Sequence, residues 1–199
     1  MAVSPFQRNV SNILAPLFAT RYKENMSYPA AWGLALVEAV IGYEWLISGL
    51  DKVFSPKYLP GLGEMLSTSI QNNPNSWWVT FIQQQVIPHA QVWAMLVEIS
   101  ELLIAIGFFA GALLWVSGYF IAAHWAHWLN LIAMLAITGG ILMTTNYYLM
   151  AGHSFPGINT SAPFDEGLSL DGVLTAIGLG LLFIHLAMWR FRGMSRGTQ

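Results

Sequence analysis

The chain has no cysteine in its 199 residues, so disulfides, Cys-ligated zinc, iron–sulfur clusters and thiol nucleophiles are excluded. Charge is nearly as scarce: eight Lys/Arg and ten Asp/Glu make up 9% of the residues, where a soluble domain averages about 25%. So few charges cannot solvate the outside of a soluble globule of this length. No Lys/Arg cluster is present to neutralise phosphates, so no nucleic-acid partner is expected. Disorder needs low hydrophobicity, and 55% of the residues here are hydrophobic. These deficits predict an integral membrane protein.

What is present agrees. Between Leu102 and Phe164 there is no Asp, Glu, Lys or Arg, too long a run for one crossing of a hydrocarbon core about 30 Å thick. The pattern predicts an all-α, integral membrane four-helix bundle in a single transmembrane domain. Its spans run over about 30–53, 90–110, 118–145 and 171–189, with a tight turn or helix end from Gly111 to Gly118. Two long extracytoplasmic loops are expected, Lys52 to Pro88 and Asn146 to Leu170. The first carries Trp77, Trp78 and Phe81, suited to the headgroup level. Arg8, Arg21 and Lys23 precede the first span, and Arg190, Arg192 and Arg196 follow the last. The positive-inside rule therefore places both termini in the cytoplasm. The apolar stretch Ile13 to Ala19 contains Pro16 and lacks a small-residue cleavage site, so it is read as a short interfacial helix and not a signal peptide.

Ionisable side chains at membrane depth are costly and mark candidate sites. Glu44 lies about 12 Å below the outer end of span one, and Glu98 and Glu101 enter span two to a similar depth. His124 and His127 rise on span three. These five are predicted to share one layer, because Glu98/Glu101 and His124/His127 each lie three residues apart on one helix face. Within it, Glu101 and His127 are expected to form one cluster. Glu38 and His185 belong to the inner half and are expected to face each other. Lys52 is expected to pair with an acid, Glu98 or a neighbour of Asp51.

Three chemistries could use the layer. Quinone ranks first, since His and Glu supply a hydrogen bond to its carbonyl and a proton path. A metal ranks second, since carboxylates and imidazoles suit iron, manganese or zinc, but the two Glu-x-x-His motifs of a di-iron bundle are missing. Haem ranks third, because His124 and His127 share one face and cannot be opposite axial ligands.

The run GYEWLISGLDKVF, Gly42 to Phe54, resembles the first span of the DoxX/DoxD membrane family, with Gly42, Gly49 and Lys52 at the family's spacing. ELLIAIGFFAG, Glu101 to Gly111, resembles its second-span signature, and NYYLMAG, Asn146 to Gly152, is similar to the DoxD branch. Where the family commonly carries Arg, this chain has Glu38 and an Arg-free stretch from Leu113 to Val116. The resemblance implies quinone-linked electron transfer in a prokaryotic plasma membrane, as in the small subunit of thiosulfate:quinone oxidoreductase.

Two readings follow. In the first, the chain is a membrane redox subunit passing electrons from a small external reductant to quinone. Glu44, Glu98, Glu101, His124 and His127 hold the quinone head and move protons, and Lys52 and Lys57 attract an anionic donor. In the second, it is a non-catalytic accessory subunit of a larger respiratory or photosynthetic complex, contacting lipid and other protein subunits. Its nine Trp and nine Met then provide broad apolar packing surface.

Overall fold

A computed structural model describes residues 28–117, 121–153 and 169–194, and among them every regular element is helical. In chain order these are α1 (Tyr28–Phe54), α2 (Tyr58–Ser69), α3 (Ser76–Phe81), α4 (Ala90–Ser117), α5 (Ala123–Met150) and α6 (Leu170–Met194). A π-helical turn (Ile82–Val86) and a 3-10 turn (Ile87–His89) connect α3 to α4. Four stretches are long and apolar enough to cross a membrane: Pro29–Phe54, Ser76–Ser117, His124–Met150 and Leu170–Arg190.

Local chemistry sets the helix ends. Pro56 follows α1 and disfavours helical geometry in the residue before it. At the start of α6 the Ser169 hydroxyl accepts the Gly172 N–H at 3.2 Å, with Asp171 in the first turn where the helix dipole favours an acid. The end of α5 is a Schellman turn: Gly152 has φ +81°, its N–H reaches the Leu149 carbonyl, and the His153 N–H reaches that of Tyr148.

The segment after α1 is largely helical, and it caps one end of the bundle. Trp78 is buried and donates its indole N–H to the Asn146 side chain at 3.3 Å. Asn73 and Asn75 donate to the carbonyls of Leu149 and His153, both at 2.8 Å. Trp77 and Phe81 remain exposed, as an interfacial aromatic group requires.

α1 packs along α4, α4 along α5, and α5 along α6, while α1 and α6 make little backbone approach to each other. The interior is stacked in layers. At the cap, Leu62, Leu66 and Trp78 pack with Ile82, Val86 and Leu149. Ile41, Trp45, Ile104, Phe108, Ile137 and Leu181 fill the middle. Ala35, Leu114, Trp115, Ala126 and Met188 fill the far end. Side chains such as Leu36, Val40, Leu103, Leu135 and Phe183 face outward, which suits contact with lipid.

One expected boundary is corrected. α4 continues without a break through Gly111 to Ser117, so Gly111 does not begin a turn. Its glycines serve close packing instead. A Cβ on Gly107 would lie 2.1 Å from that of Ala136, and one on Gly111 would lie 1.8 Å from Glu38 Oε2. The expected interfacial helix at Ile13–Ala19 and most of the Asn146–Leu170 loop lie outside the described residues.

Candidate functional site

Two polar clusters interrupt the apolar layers, one near each end of the four long helices. The first gathers around Lys52, whose position near the end of α1 lets its ammonium turn back toward α4. Its Nζ lies 2.8 Å from Glu101 Oε2 and donates to the Ser48 hydroxyl at 2.8 Å and the Ser48 carbonyl at 3.3 Å. Tyr147, on α5, donates its hydroxyl to the other carboxylate oxygen of Glu101. The rings of Tyr58 and Tyr147 stand 5.7 and 5.9 Å from the ammonium, within cation–π range. Glu101 is fully buried while Lys52 keeps a fifth of its side chain exposed, so the pair spans the border between interior and surface.

Outside this pair opens a cleft of about 360 Å³ lined by Ser48, Asp51, Lys52, Ser55, Lys57 and Tyr58, with Leu62 and Met65 as its apolar wall. Burial, then the nearby carboxylates of Glu101 and Glu98, raise the Tyr58 phenol well above its ordinary range. Tyr58 is therefore a hydrogen-bond donor at any ordinary pH. Formal charge in and behind the cleft is not positive, two lysines standing against Asp51, Glu101 and Glu98.

The second cluster takes one residue from each long helix. Glu38 Oε1 lies 2.7 Å from His185 Nε2, and the Trp115 indole donates to the same oxygen at 2.8 Å. His185 Nδ1 lies 2.7 Å from Asn130 Oδ1, and Asn130 Nδ2 donates to the His185 carbonyl at 3.3 Å. A carbonyl can only accept, so the Asn130 amide nitrogen must face it and Oδ1 must face the ring. That fixes a hydrogen on Nδ1 of His185. Glu38, His185 and Asn130 are all buried. Glu38 Oε2 has no hydrogen-bond partner among the described residues and occupies the space that a side chain at position 111 would need.

The expected five-residue layer is not assembled. Glu101 is buried with Lys52 and Tyr147, Glu98 is half-buried one turn away, and Glu44 is exposed. His124 is exposed beside Trp125, and His127 is half-buried with its ring 3.8 Å from that of Trp189. Tyr147, which contacts Glu101, is twenty residues from His127 on α5, a rise of about 30 Å. Glu101 and His127 therefore do not form one cluster. The cause lies at both helix ends: extending α4 to Ser117 lifts Glu101 away from the turn, and starting α5 at Ala123, five residues later than expected, leaves His127 close to it. Lys52 does pair with an acid, but with Glu101, one turn beyond Glu98. Lys57 is exposed at the rim of the cleft. Glu38 and His185 do face each other.

Tyr58, Tyr147, Ser48 and Trp115 were not singled out from sequence as site residues. Among the described residues no three His, Asp or Glu side chains gather as a metal site would need. Both ring nitrogens of His185 are engaged within the protein. Comparison with family models, curated proteins and solved structures gives no match.

Proposed function

We propose that the chain is the membrane subunit of a quinone-linked redox system, with the quinone head seated in the Lys52 cleft. The carrying observation is the line of polar atoms from the cleft inward, Lys52 to Glu101 to Tyr147. The charge balance decides between ligands. Two lysines offset by Asp51, Glu101 and Glu98 leave no net attraction for an anion, whereas a neutral head that accepts hydrogen bonds suits the donors present. Tyr58 is the donor to a ring carbonyl, joined by Lys52 when its ammonium turns a hydrogen from the Ser48 carbonyl, its longest contact at 3.3 Å, and Leu62 and Met65 offer the apolar contact a ring needs.

Quinone reduction takes up two electrons and two protons. Glu101 and Tyr147, linked behind Lys52, are the groups through which a proton can be replaced at the ammonium after it donates. The electrons come from a small external reductant. The resemblance to the DoxX/DoxD family suggests a sulfur oxyanion such as thiosulfate, two of which release two electrons on joining through a new S–S bond. Lys57, at the rim, is the cation nearest to such a donor's approach.

A second reading rests on the pairing itself. Lys52–Glu101 and Glu38–His185 each join different helices, as polar ties do in a bundle whose only task is to hold its shape. In that case the chain is an accessory subunit of a larger membrane complex. Titrating the purified protein in micelles with a short-chain quinone separates the two. Trp45 stacks on Tyr147 at 6.4 Å, so a quinone in the cleft should quench tryptophan emission saturably. The paired variant Lys52→Met/Glu101→Gln, which removes both charges together, should bind at least about tenfold more weakly, about 1.4 kcal/mol. Quenching that is linear and equal in both proteins favours the accessory reading.

A further inference from the structure

The Glu38 cluster has no part in the quinone reading. Along α1 it lies fourteen residues from Lys52, about 21 Å, and the apolar layer of Ile41, Trp45, Ile104 and Phe108 separates the two. It also joins two helices whose backbones pack little against each other, α1 and α6, through the contact of Glu38 with His185.

Hydrogen-bond bookkeeping in this cluster leaves one proton undetermined. Asn130 fixes a hydrogen on His185 Nδ1, and the Trp115 indole can only donate to Glu38 Oε1. Between Oε1 and Nε2, 2.7 Å apart, one hydrogen is required, carried by either atom. Both are otherwise acceptors, and two facing lone pairs at that distance repel. If a further proton is added, the ring still donates through Nε2–H and the new proton has Oε2 to occupy, so the contact survives. If the shared proton is lost, the contact does not.

We propose that Glu38 and His185 form a proton-binding site that latches α1 to α6: the two helices are held together while the shared proton is bound, and the seam between them loosens when it leaves. The groups facing the pair are Trp115 and the Gly111 backbone from α4 and Asn130 from α5, none of which titrates in the ordinary range. Next along the same helices come His127, one turn before Asn130 on α5, and Arg190, on α6 five residues beyond His185. His127 is half-buried with its ring against Trp189, and Arg190 is exposed. Glu44, the next acid on α1, is exposed and six residues away.

The absence of native cysteine makes the test clean. Spin labels on Val40→Cys in α1 and Leu186→Cys in α6, both exposed positions, report the separation of the two helices by pulsed dipolar spectroscopy in lipid nanodiscs. From about pH 5 to about pH 10, the otherwise wild-type protein should hold one short distance at the acid end and lengthen by about 2 Å or more at the alkaline end. Glu38→Gln must keep its one amide oxygen at the Trp115 indole, which leaves Nε2 facing that oxygen with no carboxylate charge to hold its proton, so the short distance should be lost at a lower pH than in the wild type. His127→Gln should leave the transition in place, since His127 is not a member of the pair. A distance that stays constant with pH in the wild-type background overturns the latch. So does a transition that persists unchanged in Glu38→Gln, which would place the titrating group elsewhere.

Discussion

Glu101 is fully buried, so its tolerance in the interior depends on the groups that touch it. Removing Lys52 alone leaves a buried carboxylate with only Tyr147 as partner, and breaking a buried pair from one side costs about 3–5 kcal/mol. Lys52→Met should therefore lower the unfolding midpoint in micelles sharply, and adding Glu101→Gln should recover most of the loss. Equal stability of the single and double variants would show that the pair does not carry the burial of Glu101. Tyr58 gives a pH-dependent counterpart. Burial and the acids nearby raise its phenol, so the neutral form is favoured by folding and that stabilisation fades only as pH climbs above the ordinary phenol range. Ultraviolet titration of wild type against Tyr58→Phe should show no phenolate from Tyr58 at about pH 10. At this scale the sequence was legible where helix rise alone decides contact: Glu38 and His185 meet because both depths could be counted from nearby span ends. The partner of Lys52 was missed by one turn, since Glu98 and Glu101 share a helix face and only packing distinguishes them. Tyr147 was hidden because a tyrosine near a span end reads equally well as an interfacial anchor.

Among the elements, α4 carries the main lesson, because glycine serves both as a turn residue and as a point of close approach. Gly111 lies in a glycine- and alanine-rich stretch, and nothing in one sequence says that Glu38 Oε2 and Ala133 will occupy the space above it. Reading it as a helix end shortened α4 by seven residues, about 10 Å, and together with a third span begun at 118, where α5 starts at Ala123, it produced the expected layer of acids and histidines. The helix as observed makes a graded prediction. Gly111→Ala and Gly107→Ala should each destabilise by about 1–3 kcal/mol through overpacking, whereas Gly33→Ala and Gly180→Ala, with nothing within 4 Å of the added carbon, should be neutral or stabilising by up to about 1 kcal/mol. Thermal unfolding of the four variants in one detergent checks the order. Destabilisation of Gly33→Ala equal to that of Gly111→Ala would remove the packing explanation.

As a whole molecule, the protein has four long apolar helices, which followed from scarcity of charge and the length of the apolar runs, and a helical cap over one end where a long loop was expected. Which end faces the cytoplasm rests on the cations outside the spans. An impermeant thiol reagent should label Ser76→Cys, exposed in the cap, on intact cells, and labelling only after permeabilisation would reverse the orientation. What could not be read from the chain is how its few polar residues partition, because that depends on helix rotation and contact and not on order along the sequence. The partition puts a donor-lined cleft at the capped end and a closed cluster at the other, and the functional account stands on the cleft. Its most direct test is photolabelling with an azido-quinone followed by peptide mapping. The account predicts modification within residues 48–65, suppressed by excess unlabelled quinone and lost in Lys52→Met/Glu101→Gln. Labelling spread along the outward faces of α4, α5 and α6, unaffected by competitor and unchanged in that variant, would contradict it.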